Sequence, residues 1–487
     1  MDEVGLEPGL TLDPVGAEGW AEFRALAHRV LDEALDFTEK VRERPVWQPV
    51  PAESALRVAG ELPQEGTPLE ALCTEVTETI LPYATGNVHP RFLGWVHGSG
   101  QPGNLLAEML ASAMNANCGG RDHGAIYVER QVLEWCRQLF GFPEGTSGLL
   151  VSGTSMGNLI GLAVARNEAV AGMRAAGVGA MRGRLTVYAS SEVHDSVAKA
   201  LELLGLGAEA LRRVAVTDAF GMDVTALRER IREDRAAGLQ PMCVVGCAGT
   251  VNTGAFDGLE ELAAVCREEG LWFHVDGAFG GLCRMSEAKR GLVRGIELAD
   301  SLAFDFHKWM HVQYDAGCVL VRRAGAQYAA FSMRPPYLAH ASGGLGGGME
   351  WPCDLGPELS RSFRALKVWF AFRENGVRKF GALIEQNCAL AEYLGERVVR
   401  ETRLELMTPV TLQIVCFRVK WEGASEAELD ARNERLLIWL QESGVAAPSS
   451  TRIGGRFAIR VNVTNHRTRR EDLDVVVGKV LELAGSF

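Results

Sequence analysis

The chain has 487 residues, of which 47% are hydrophobic and 23% charged, with a net charge of −12. This is the composition of a folded globular protein with room for two or three domains. The acidic balance and the absence of a basic run argue against a nucleic-acid partner, and no stretch of about 18 apolar residues suggests a membrane span.

The start, Met1-Asp2-Glu3, lacks the basic and apolar regions of a signal peptide. The eleven cysteines are odd in number and form no CxxC pair. They predict a reducing, cytoplasmic setting with no disulfide framework and no metal site. Cys243 and Cys247 sit in an apolar run and are expected to be buried thiols.

Trp20, Phe23, Ala27, Val30, Ala34 and Phe37 recur at helical spacing and predict a helix over 20–42. A connector with Pro45, Pro49, Pro51 and Pro63 follows. Residues 1–86 therefore read as a helical arm that packs on another surface, such as a second subunit. Gly98-Ser99-Gly100-Gln101-Pro102-Gly103 formally matches GxGxxG, but it lacks a βαβ unit and a following acid, so a dinucleotide site is not expected.

From Pro102 the chain alternates helices with short apolar strands. The strand candidates are 148–151, 185–189, 213–216, 242–247, 271–275, 301–304 and 318–321. Helical patterns lie between several of them, at 158–174, 224–236 and 259–269; the charges of 228–235 are mixed in sign and read as a solvated helix face. The rhythm predicts an α/β fold with a mainly parallel sheet flanked by helices, over 87–372. The loop Gly343–Gly348 is rich in glycine and is expected to move. After a helix near 364–374 come strands at 412–419 and 457–463, with helices at 427–443 and 471–484. These predict a small α+β domain over 373–487.

Ligands in such sheets bind at the carboxyl ends of strands. Ser152-Gly153-Thr154-Ser155 follows one strand and opens a helix, where free amides and hydroxyls make a phosphate cradle; plain N-capping is the other use of the same residues. His194 follows another strand and can stack on a flat ring or reach a carboxylate. His274-Val275-Asp276 ends a third, and Asp305-Phe306-His307-Lys308-Trp309 a fourth. An acid and a lysine at such ends suit pyridoxal phosphate. The lysine amine can condense with its aldehyde, and the carboxylate can keep its pyridine nitrogen protonated.

At this point the chain resembles the group II pyridoxal-phosphate amino-acid decarboxylases, in the branch of aromatic-L-amino-acid decarboxylase. The resemblance runs from about Gly86 to the C-terminus. It rests on His89-Pro90-Arg91-Phe92, Val193-His194-Asp195-Ser196-Val197, Gly249-Thr250, Trp272–Asp276, Phe304–Trp309, Pro336-Tyr337-Leu338 and Ser362–Trp369. It implies the transferase fold of type I, an obligate homodimer with its active site at the interface, and decarboxylation of an L-amino acid, aromatic side chains favoured.

The resemblance also implies roles. Lys308 anchors the cofactor, Asp276 pairs with the pyridine nitrogen, His194 stacks on the ring, and Ala278 and Thr250 help to set it. Gly153, Thr154, Ser155, Asp305 and His307 surround the phosphate. Tyr337, on a mobile loop, returns the proton to the carbon that loses carbon dioxide. Trp95 and His97 line the side-chain pocket, and Asn115 and Asn117 reach it across the dimer. The chain departs from the family's usual pattern at Gly277, often alanine, and in its phosphate turn. It departs further at His97, Asn115 and Asn117, polar where the aromatic branch is mostly apolar. A decarboxylase of acidic or other polar amino acids, an aldehyde synthase, and a catalytically silent binding module are the alternatives. The resemblance ties aldehyde synthesis to loss of the loop tyrosine, and Tyr337 is present.

Overall fold

A computed structural model describes residues 11–333, 343–347 and 350–487. Tyr337 and Gly348 lie outside the described residues. Twelve strands are found among the described residues: β1 (Phe92–Leu93), β2 (Ser147–Val151), β3 (Leu185–Ser190), β4 (Leu211–Val214), β5 (Gln240–Cys247), β6 (Trp272–Asp276), β7 (Ser301–Asp305), β8 (Gly317–Val321), β9 (Leu404–Leu406), β10 (Ile414–Val419), β11 (Ala447–Ile453) and β12 (Arg456–Asn462).

Seven of them form the large sheet, in the order β2-β8-β7-β6-β5-β3-β4. The pairs β7–β6, β6–β5, β5–β3 and β3–β4 are parallel, and β8 runs antiparallel to both β2 and β7. Strands β3, β6, β7 and β8 are buried at every residue. A parallel sheet covered on both faces requires such unbroken apolar runs, because neither side meets water. Each face has its own core, one around Phe140, Phe273, Phe304 and Phe306, the other around Leu149, Ile160, Val187 and Val245. This is the architecture of the type I fold.

Val224–Ala236 and Leu259–Glu269 form helices over the residues their patterns mark. Other elements shift. The strand expected at 213–216 lies at Leu211–Val214, because Val216 is drawn into a bridge with Met222. The helix expected at 158–174 spans Thr154–Ala169 and stops before Gly172, whose φ is +76°. The helix at 364 runs on to Arg400, broken only at Gly376, where φ is +68°. Cys243 and Cys247 are buried thiols on β5, and all eleven cysteines are free.

The second sheet has the order β1-β11-β12-β10-β9. Its core packs Phe417, Ile459 and Val461 against Leu436, Leu440, Val476 and Val480 of helices Glu426–Glu442 and Arg470–Ala484. β1 precedes the large sheet in sequence yet pairs with β11. It ties the start of the site's wall to the C-terminal sheet.

The helix Gly16–Glu39 buries no side chain, and Trp20 and Phe23 remain exposed. Helix Pro102–Met114 exposes Leu106, Met109, Leu110 and Met114. Among the described residues no helix is long and apolar enough to cross a membrane, and no cluster of side chains could hold a metal ion.

Candidate active site

The carboxyl ends of β2, β3, β5, β6 and β7 point to one side of the large sheet. A cavity of about 520 Å³ opens there. β6 delivers Asp276 to its floor and β5 leads to Thr250. After β7, the single turn Phe306–Trp309 presents His307 and Lys308. Gly153, Thr154 and Ser155 line it beside that turn, where β2 leads into helix Thr154–Ala169.

Of the predicted site residues that the structure describes, all line this cavity except Asn115 and Asn117. Asn115 ends helix Pro102–Met114 in the left-handed conformation, with φ +43°. The Asn117 side chain accepts from the backbone of Gly119 at 2.9 Å and of Arg361 at 3.1 Å. Neither lines the cavity within its own chain.

Asp276 is buried, and its carboxylate accepts from Asn158 Nδ2 at 2.9 Å and from the Ala278 amide at 3.1 Å. Lys308 Nζ lies 2.8 Å from Asp305 Oδ2, and the other oxygen of Asp305 accepts the Thr154 amide at 2.7 Å. Burial acts to raise the pKa of Asp305. The charges of Lys308 and His307, with the hydrogen bonds from Lys308 and Thr154, outweigh it and hold the carboxyl below its ordinary value. Burial lowers the pKa of His307, whose Nδ1 accepts the Ala316 amide at 3.1 Å.

These residues fit pyridoxal phosphate. The buried Thr154 hydroxyl, at the first turn of a helix, has no hydrogen-bond partner among the described residues. Backbone at the rim is closely approached: a Cβ at Gly317 would lie 2.6 Å from Gly153 Cα and 2.8 Å from Asp305 Oδ1. Small residues and unpaired donors at a helix start suit an anion. Lys308 and Asp276, both on the cavity wall, suit an aldehyde and a pyridine nitrogen.

The outer wall is aromatic. His97 stacks on Phe92 at 5.6 Å and on Trp95 at 5.9 Å, and meets the edge of Tyr314 at 6.0 Å. Burial and the Lys308 charge lower the pKa of His97. Trp95 holds φ +46°, which a bulky residue adopts only under constraint. Ser449 accepts from its amide at 3.2 Å, and the buried Arg460 donates to its carbonyl at 3.0 Å.

The GxGxxG match has a packing explanation. A Cβ at Gly98 would collide with the carbonyl oxygens of His307 and Lys308. Sequence reasoning missed Asn158, Glu192, Ser196, Phe279 and Tyr314. All but Asn158 line the cavity, and Asn158 bonds the Asp276 carboxylate beneath it. The available signal was a polar residue between Gly157 and Gly161 in an apolar helix.

The pyridoxal-dependent decarboxylase conserved domain matches residues 51–420. The chain belongs to this family. Its reaction is pyridoxal-phosphate-dependent decarboxylation of an amino acid, which makes it a carboxy-lyase. It is 33% identical over 467 residues to an aromatic-L-amino-acid decarboxylase of Bacillus atrophaeus, covering 95% of each chain. It is 31% identical over 469 residues to that of Sus scrofa, covering 92% of this chain and 93% of that one. Among solved structures, Oryza sativa TDC with PLP and tryptamine superposes with a TM-score of 0.89 at 26% identity, over 98% of this chain and 99% of that one.

Proposed function

We propose that the chain converts an aromatic L-amino acid to its amine and carbon dioxide, as a cytoplasmic homodimer. The observation that carries this reading is the placement of Lys308, Asp276 and the Gly153–Ser155 turn on one cavity whose outer wall is Trp95, His97 and Tyr314. A flat side chain matches that wall by ring stacking, and the named bacterial and mammalian relatives act on aromatic amino acids. Glu192 lines the same cavity and opposes an acidic side chain by charge.

When bound, pyridoxal phosphate supplies the electron sink for the bond to the departing carboxylate. The residues of the chain do the rest. Lys308 would hold the aldehyde carbon through its amine. Asp276 holds the proton on the ring nitrogen. The amides and hydroxyls of Thr154 and Ser155 take the phosphate, with Gly153 and His307 beside it. Asp305 neutralises Lys308 from below. His194 would stack on the ring, and Thr250 and Ala278 would help to set it. Tyr337 donates the proton that replaces carbon dioxide. A phenol can give and regain that proton.

The exposed faces of helices Gly16–Glu39 and Pro102–Met114 support a dimer, since apolar patches of that kind mark interaction surfaces. In that assembly 1–86 is the dimerisation arm, 87–372 the cofactor domain and 373–487 the small domain. Asn115 and Asn117 then reach the partner's cavity. The free cysteines support the cytoplasm.

The test is a screen of the twenty amino acids for carbon dioxide release with the products identified. Tryptophan, tyrosine or phenylalanine giving amine in equal amount is the expected result. Release from acidic amino acids alone would overturn the substrate assignment. Aldehyde, ammonia and peroxide in place of amine would make the chain an aldehyde synthase.

A further inference from the structure

Asn158 lies on the sheet-facing side of helix Thr154–Ala169, between two glycines that bring the helix close. A Cβ at Gly157 would stand 2.8 Å from Ala303 Cβ, and one at Gly161 2.7 Å from His274 Cε1. The fully buried amide of Asn158 meets three groups. Its Nδ2 is 2.9 Å from Asp276 Oδ2 and 3.0 Å from Ser196 Oγ, and its Oδ1 is 2.9 Å from His274 Nε2. His274 Nδ1 is 2.7 Å from Ser301 Oγ, which accepts the Trp272 indole N–H at 2.8 Å. At the other end Ser196 Oγ is 2.9 Å from His194 Nδ1, which also accepts the Ser196 amide at 3.1 Å.

This chain of bonds has one direction. A carboxylate only accepts, so Asn158 turns its NH₂ to Asp276 and its oxygen to His274. His274 therefore carries its proton on Nε2. Burial pushes its pKa down to about 3, so the ring is neutral and Nδ1 is bare. Ser301 donates to that nitrogen and accepts from the indole, which can only donate. The second N–H of Asn158 goes to Ser196, whose hydroxyl proton then goes to His194 Nδ1. The Ser196 amide can only donate, and it aims at the same nitrogen. The two ends agree: His194 keeps its proton on Nε2.

We propose that Asn158 and His274 are positioning residues, which through this one-way chain aim the Asp276 carboxylate and lock the tautomer of His194. One amide thus serves both groups proposed above to flank the cofactor ring, and the inference rests on that assignment. A carboxylate free to turn, or a His194 free to exchange tautomers, would hold the ring less firmly.

The test titrates apo protein with pyridoxal phosphate and follows the absorption of the bound cofactor against pH. Asn158→Ala and His274→Phe are expected to raise the Kd by about tenfold, the loss of one hydrogen bond to a charged group, and to move the midpoint of the spectral pH titration. His274→Gln keeps a donor for Asn158 and should restore both readings towards wild type. Ser301→Ala cuts the next bond of the chain, at His274 Nδ1, without emptying the core, and should move both readings in the same direction by less. Wild-type Kd and midpoint in Asn158→Ala, or His274→Gln as impaired as His274→Phe, would overturn the proposal. Wild-type protein that takes up no pyridoxal phosphate would instead defeat the cofactor assignment on which it rests.

Discussion

Asp276 is a buried acid whose two hydrogen-bond partners among the described residues are both neutral N–H groups, from Asn158 and Ala278. A buried carboxylate is costly unless a cation faces it. In the proposed assignment that cation is the protonated ring nitrogen of the cofactor. Asp276→Asn keeps the size of the side chain and removes the charge. The chemical barrier should rise by about 3 kcal/mol or more, the scale of preorganised electrostatic groups, while cofactor uptake through Lys308 and the phosphate turn persists. Single-turnover rates with cofactor content measured on the same sample would check this, and a near wild-type rate would remove Asp276 from the role. The pairing of Lys308 with Asp305 has a different character. There the acid also caps the first amide of a helix, so it serves the fold as well as the lysine.

Helix Thr154–Ala169 is the element on which the site depends most. It brings the phosphate turn at its start and Asn158 one turn later, and Gly157 and Gly161 let it lie against β6 and β7. Gly161→Ala would favour the helix by about 1 kcal/mol, yet its Cβ must displace the His274 ring, and overpacking costs about 1–3 kcal/mol. Net destabilisation in urea unfolding is the expected outcome; a more stable variant would show that the ring has room to move. The large sheet was legible in the sequence because buried parallel strands read as short apolar runs between turns. β1, β9 and β11 were not. β1 and β9 are too short to show a pattern, and β11 carries Pro448-Ser449-Ser450 where a strand signal is weak. Asp276, Lys308, His194 and Gly153 were legible because each stands near a strand's carboxyl end. Asn158 was not, because its partners His274 and Asp276 lie 116 and 118 residues further along the chain. No local spacing encodes that meeting.

At the scale of the whole molecule, buried histidines tie stability to pH. Burial lowers His274 from its ordinary 6.5 to about 3. The unfolded chain takes up that proton below 6.5 and the folded chain refuses it. The contribution is therefore complete above 6.5 and is lost as the pH falls towards 3, at about 1.4 kcal/mol per unit. His89 and His466, each pushed to about 4 chiefly by burial, act in the same sense. Asp257, raised by burial from 3.8 to about 6, acts in the opposite sense, since its stabilisation is lost as the pH rises through that window. His97, His307 and His311 are lowered by burial too, and Asp300 is raised by it; six histidines against two aspartates predict a lower urea midpoint at pH about 5.5 than at pH about 7.5, and a higher one would contradict the balance. The arm and the exposed faces of the helices around Trp20 and Leu110 predict a mass of two chains in sedimentation, and a monomer that binds cofactor and turns over would refute the dimer. In the proposed assignment Lys308 carries pyridoxal phosphate in the cavity floored by Asp276. Borohydride reduction of the enzyme, followed by digestion and mass mapping of the pyridoxyl group, tests it most directly. The pyridoxyl group is expected on Nζ of Lys308, and none on Lys308→Ala. A group on another lysine, or no group on wild type supplied with the cofactor, would contradict it.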